Sequence, residues 1–209
     1  FCILDLWDRR GHDAAIYLDP DLYFLRPLTA VKEAFARGAD CVLTPHLLAP
    51  LNDEFHPDDI QILRTGVYNL GFGAFANRPG ARRFVEWWGR ECETNCVVDL
   101  EAGLFVDQRL ADFAPAFCDD AFILRDPGHN VAYWNFKHRH VAKAADGWTA
   151  GGAPLTFFHF SGVVPGDASV FSKHQNRLTV GDLGPAKSLL TEYLAALARH
   201  GHETRKKQP

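Results

Sequence analysis

The sequence predicts an α/β sandwich, a mainly parallel or mixed sheet flanked by helices. Three observations predict it. Short apolar runs bounded by turn residues alternate with segments of helical period. Two carboxylates follow the first such run directly, at the strand end where ligands collect in sheets of this class. The composition, 47% hydrophobic and 23% charged over 209 residues, is that of a chain able to bury a core as one domain, residues 1–209.

The elements follow in order. Phe1, Ile3, Leu4, Leu6 and Trp7 fit the end of a helix. Ala14 to Leu18 reads as a buried strand, ended by Asp19-Pro20-Asp21. Leu28, Val31 and Phe35 recur at helical spacing, so a helix follows and stops near Gly38. Cys41 to Leu43 is a short strand ending at Pro45. Residues 46–66, with Pro50, Pro57 and many polar groups, read as irregular, a length of loop that is usually functional or disordered. Leu70 to Phe75 is a strand carrying two glycines. Asn77 and Pro79 start a helix with Ala81, Phe84, Val85 and Trp88 on one face. A second helix is expected over Phe105 to Phe113, and strands over Phe122 to Leu124 and Leu155 to Phe160. The last helix runs from about Pro185, and residues 201–209 read as a flexible basic tail.

Charge and motifs exclude several classes. The net charge is −4 and no basic stripe appears, which argues against a nucleic-acid partner. Arg205-Lys206-Lys207 is a solvated tail, or at most a weak peripheral contact with a membrane surface. No run of about 18 apolar residues exists to span a bilayer, and no signal peptide is visible. The cysteines, Cys2, Cys41, Cys92, Cys96 and Cys118, are odd in number and irregular in spacing, so reduced thiols in the cytoplasm are expected. P-loop, dinucleotide-binding and zinc-protease signatures are absent. Methionine is absent and residue 1 is Phe, which reads as an internal fragment. Only residues 1–13 precede the first strand, too few for a parallel crossover, so that strand is expected to lack a neighbour.

The chemistry concentrates at Ile16-Tyr17-Leu18-Asp19-Pro20-Asp21. An apolar strand delivers two carboxylates around a proline that stiffens the turn. Hard divalent cations take oxygen ligands, and Mg²⁺ or Mn²⁺ typically binds one or two carboxylates plus substrate phosphates. An ordinary Asx-Pro turn is the bland alternative, but apolar residues on both sides, Leu22-Tyr23-Phe24-Leu25 after it, disfavour an exposed turn. Asn69 and Gly71 share a predicted strand, where glycine permits a close approach of ligand or backbone. Asp107-Gln108 opens a predicted helix, as a site residue or as a plain dipole partner. Asp126 to Asn130 reads as a turn, with Tyr133 and Trp134 beside it for sugar stacking or for the core. Trp87, Trp88 and Trp148 are read as packing residues.

Residues 16–28, IYLDPDLYFLRPL, resemble the metal-binding segment of GT-A fold glycosyltransferases, especially the family-8-like and bacterial capsule and O-antigen enzymes. Tyr68-Asn69-Leu70-Gly71-Phe72, Phe105-Val106-Asp107-Gln108, the segment from Arg125 to Asn135, Phe158-His159-Phe160-Ser161-Gly162 and the segment from Phe171 to Arg177 match the same group in the same order. No one motif is specific; the ordered set is. The resemblance implies a GT-A-like, Rossmann-like sheet without its N-terminal nucleotide-binding strands. It implies Mn²⁺ (or Mg²⁺) held by Asp21, Asp19 and His159. It implies a donor and acceptor pocket involving Asn69, Gly71, Asn130, Trp134 and Gly162, with Asp107 and Gln108 in catalytic roles. Val163-Val164-Pro165 stands where a Lys-Pro-Trp element is expected, so Lys173 is the substitute for the diphosphate-binding lysine.

The implied reaction moves a sugar from a nucleotide-sugar donor, a UDP-sugar, to a hydroxyl of a glycan or lipid-linked glycan, in the cytoplasm at the inner face of the membrane. Two rivals remain. A haloacid-dehalogenase-type phosphatase also places paired aspartates after its first strand, but here Leu22-Tyr23 follows them and Asp119-Asp120 lies in a weakly apolar context. A non-catalytic or degenerate sugar-binding domain would not be expected to keep Asp19, Asp21 and His159 together.

Overall fold

The computed structural model describes residues 2–167 and 169–205. It is a mixed α/β fold. Helix α1 (Cys2–Asp8) leads into strand β1 (Ala14–Leu18), and β2 (Leu22–Phe24) follows the Asp-Pro-Asp turn. Then come α2 (Thr29–Ala36), β3 (Cys41–Pro45), α3 (Asp59–Thr65), β4 (Tyr68–Ala76) and α4 (Pro79–Asn95). A small ribbon, β5 (Val98–Asp99) and β6 (Leu104–Phe105), precedes a 3₁₀ turn at Arg109–Phe113 and helix α5 (Ala114–Phe117). Strand β7 (Ala121–Ile123), helix α6 (Phe136–Arg139), the meander β8 (Ala142–Ala144), β9 (Gly147–Ala150) and β10 (Ala153–Pro154), and strand β11 (Phe157–His159) follow. The described chain closes with α7 (Ala186–Arg199) and a single turn, α8 (His202–Arg205).

The main sheet has the order β1-β4-β3-β7. Strand β4 is antiparallel to both neighbours, whereas β3 and β7 are parallel, so β1, β3 and β7 all point the same way. Their carboxyl ends therefore meet the beginning of β4 at one edge. Strand β2 leaves that edge and pairs antiparallel with β11, placing Leu22 opposite His159.

Burial explains the order. Strand β4 is buried almost throughout, as a central strand covered on both faces must be. On one face α4 begins with Pro79, whose fixed φ suits the first helical turn. It lays Phe84 and Trp88 against Phe75, with Phe84 stacked on both rings at 5.7 Å. On the other face Val31 and Ala34 of α2 pack with Val42, Phe72 and Phe157. A further cluster joins Phe158, Phe160 and Trp148 to Leu189, Leu190 and Tyr193 of α7.

Four expectations change. Strand β1 has the unpaired side expected of it, with no strand hydrogen-bonded there among the described residues, but it is not buried: Ile16 and Leu18 are each 42% exposed. Residues 59–65 are helical because Asp58 and Gln61 form a capping box: Asp58 Oδ1 accepts from the Gln61 N–H, and Gln61 Oε1 accepts from the Asp58 N–H. The helix expected over Phe105 to Phe113 is a strand end, a bend at Val106 and a 3₁₀ turn. Residues 202–205 form helix α8 rather than a loose tail, while Phe1 and residues 206–209 lie outside the described residues.

Candidate metal centre

The end of β1 is held by a backbone bond from the Asp19 N–H to the Gly71 carbonyl at 2.9 Å. Pro20 then turns the chain, and Asp21 is fixed through its own carbonyl, which accepts from the Phe160 N–H at 3.0 Å. The two aspartates thus stand where the chain passes from the main sheet to the β2–β11 pair. His159, the last residue of β11 and 3% exposed, enters from that pair. Its Nε2 lies 3.0 Å from Asp21 Oδ1 and 4.0 Å from Asp19 Oδ2. One ligand atom from each of the three side chains falls within 4.8 Å of the others.

The donor set fits a divalent cation. Asp21 Oδ1 is buried and, despite its short approach to His159, has no partner in hydrogen-bonding geometry. A buried carboxylate oxygen left in that state costs free energy that a cation would offset. Two carboxylates and one imidazole suit Mn²⁺ better than Mg²⁺, which prefers oxygen alone.

Electrostatics separates the carboxylates. Burial raises the Asp19 carboxyl above its ordinary range, although Asp19 Oδ1 accepts from the Tyr17 hydroxyl at 2.9 Å. Burial also acts to raise Asp21, but His159 and His174 together hold it below its ordinary value. Burial raises Asp107, and the charge of Asp19 raises it further. Tyr17 is pushed up for the same two reasons, burial and Asp19.

A cavity of about 490 Å³ opens over the triad. Asp107 and Gln108 form one wall, Tyr133 and Trp134 another, and Arg64 and His174 stand at its sides. The preceding residue, Val106, is β-branched yet has φ 43°, a left-handed conformation that such residues rarely adopt. That strained bend, with the Asp107 carbonyl accepting from Trp88 Nε1 at 3.0 Å, sets the Asp107 carboxyl in the cavity wall.

The structure redistributes the other sequence-derived residues. Asn69, Gln108 and Asn130 are buried around and behind His159, joined by hydrogen bonds. Gly71 lines the cavity. It makes room for His159, because a Cβ there would lie 2.3 Å from His159 Cε1. Trp134 lines the cavity but is a core residue, with its ring packed edgewise between His46 at 5.2 Å and His159 at 5.1 Å. Gly162 has φ 74° and cradles Ser172 and His174 rather than facing the cavity. Lys173 is exposed and outside the cavity wall, and its neighbour His174 takes that place.

Sequence reasoning missed His46, Tyr17, Arg64 and His174. His46 had a usable signal, since it directly follows strand β3 at the edge where the ligands gather.

Asp107 gives a test of the wall. If the cavity is the active site of the transferase that the resemblance implies, Asp107→Asn, which removes the charge and keeps the shape, lowers kcat by at least tenfold while donor affinity changes little. Steady-state kinetics with full saturation curves would show it. A variant with unchanged kcat would reduce Asp107 to a partner of the 3₁₀ turn.

Comparison with known proteins finds relatives of no stated activity. The chain is 29% identical over 150 residues to YfnF, an uncharacterized protein of Bacillus subtilis (strain 168), covering 70% of this chain and 48% of the relative. It is 28% identical over 166 residues to YfnD, an uncharacterized protein of the same organism, covering 78% of this chain and 50% of the relative. The chain thus spans about half the length of the curated relatives it matches. No family model matches, and no solved structure matches.

Proposed function

We propose that the protein is a metal-dependent glycosyltransferase of GT-A type, moving a sugar from a nucleotide-sugar donor, a UDP-sugar, to a hydroxyl of a glycan acceptor. One observation carries this reading: the convergence of Asp19, Asp21 and His159 on the floor of a cavity whose wall holds a further carboxylate, Asp107. Asp19, Asp21 and His159 would hold the ion. When bound, it supplies Lewis acidity and neutralises charge on a departing diphosphate.

The chain's own residues account for the rest. Arg64, a permanent cation at the cavity, is placed to meet phosphate charge that Lys173 does not reach. The Asp107 carboxyl is raised by burial and by Asp19, which makes it a better proton acceptor toward an acceptor hydroxyl. The mixed walls, aromatic on one side and polar on the other, orient a sugar and exclude water from the reacting carbon.

The test is a mass-spectrometric screen of UDP-sugars with oligosaccharide acceptors, with and without Mn²⁺. The expected result is Mn²⁺-dependent release of nucleoside diphosphate together with a glycosylated product. Release of inorganic phosphate from phosphomonoesters instead would favour a phosphatase, and sugar binding without turnover would favour a binding domain.

A further inference from the structure

The carboxamides behind His159 form a chain whose orientation is dictated by two backbone N–H groups, which can only donate. The Leu70 N–H donates to Gln108 Oε1 at 3.0 Å. The Gln108 amide nitrogen therefore points the other way and donates to the Thr65 carbonyl at 2.9 Å. Gln108 Oε1 also accepts from Asn69 Nδ2 at 3.1 Å. Asn69 Oδ1 is thereby turned the opposite way, where it accepts from the Gly71 N–H at 3.2 Å and from Asn130 Nδ2 at 2.9 Å. Asn130 Nδ2 donates as well to Thr44 Oγ1 at 2.8 Å, which leaves Asn130 Oδ1 facing His159.

His159 Nδ1 consequently meets two carbonyl oxygens, Asn69 Oδ1 at 3.1 Å and Asn130 Oδ1 at 3.3 Å. Neither can donate, so Nδ1 carries the proton. In the neutral ring Nε2 then keeps its lone pair, aimed at Asp21 Oδ1 3.0 Å away. A lone pair and a carboxylate oxygen at that distance repel unless a proton or a metal cation lies between them, and a metal takes the place of the proton that would otherwise hold Asp21 below its ordinary value. The second Asn69 Nδ2 hydrogen goes to His46 Nε2 at 3.2 Å, and His46 is a neutral ring because burial pushes it down to about 4.

Resting on the metal reading above, we propose that Gln108 is a positioning residue. Through Asn69 and Asn130 it fixes His159 as the Nδ1–H tautomer and so presents Nε2 to the cation held by Asp19 and Asp21. Outer groups that orient an imidazole in this way typically govern metal affinity by about 10–100-fold. Asn130 supports the relay from a left-handed backbone, φ 52°, a strain that asparagine tolerates.

The experiment has two readouts on the full chain. Long-range ¹H–¹⁵N correlation spectra of the metal-free protein, taken at a pH alkaline enough that the ring is neutral, report the His159 tautomer, and calorimetry with Mn²⁺ alone reports affinity. The wild type should show Nδ1–H. Gln108→Leu should show a mixed or reversed tautomer and bind Mn²⁺ at least tenfold more weakly. An Nε2–H wild type, or an unshifted tautomer in Gln108→Leu, overturns the relay while leaving the metal reading intact. An Nδ1–H wild type that does not bind Mn²⁺ overturns the metal reading, and with it the purpose assigned to Gln108. The wild-type spectrum decides the first point even if Gln108→Leu fails to fold.

Discussion

Asp21→Asn is expected to abolish measurable Mn²⁺ binding and to slow sugar transfer by about a thousandfold, equivalent to ~4 kcal/mol of barrier. The substitution keeps the shape of the turn. It removes one negative charge and can put an N–H₂ group, which cannot ligate a cation, where the unpartnered Oδ1 stands beside His159. Asp19→Asn should be milder, because Asp19 Oδ1 is already shared with the Tyr17 hydroxyl and its other oxygen is 4.0 Å from His159. Calorimetric titration of Mn²⁺ in the presence of nucleoside diphosphate checks the order. Equal binding by Asp21→Asn and the wild type would remove the metal from this site.

Gly71→Ala is expected to do comparable damage without touching a ligand. The new methyl would lie 2.3 Å from His159 Cε1, 2.7 Å from Nδ1 and 2.9 Å from Asn69 Oδ1. The imidazole cannot step aside, since it is buried, clamped by two carboxamides and packed against Trp134. Overpacking of this kind costs about 1–3 kcal/mol. The displaced ring should also cost the site its affinity. Thermal melts with and without Mn²⁺ separate the two effects. The wild type should melt higher when Mn²⁺ is added, and Gly71→Ala should melt lower and show no metal response. Gly181→Ala is a suitable control, because its nearest neighbour is Thr179 Oγ1 at an ordinary 3.4 Å. A Gly71→Ala protein that melts and binds like the wild type would mean that the ring has room to move.

What could be read from the sequence was local. An apolar strand closed by Asp-Pro-Asp is a contiguous pattern, and so is a helix opened by Pro79 with an apolar face, and both stand where they were expected. The capping box at Asp58 and Gln61 was also contiguous, but the prolines around it masked a short helix. Leu104-Phe105 could not be told from a helical turn, because a two-residue strand has no period and its partner, Val98-Asp99, is set by the ribbon alone. The pairing of His159 with Asp21 depends on β2 crossing to β11, a contact distant in sequence, and only the resemblance pointed to it. The relay from Gln108 through Asn69 and Asn130 was out of reach altogether. Those residues were read as separate pocket groups, whereas the fold places them as one hydrogen-bonded wall behind the imidazole.

The passage of the chain from the main sheet to the β2–β11 pair makes the site a joint as well as a centre of chemistry. Asp19 ends the last rung that β1 makes with β4, Asp21 precedes the first residue of β2, and His159 ends β11. An ion held by all three would add a rivet between two sheets that the Asp19–Asp21 turn and the His159–Asn69 hydrogen bond already join. At a hundredfold excess over its dissociation constant such an ion contributes about 2.7 kcal/mol to the folded state. Chelation would then loosen the seam between the sheets, and the cavity would lose its shape together with its charge.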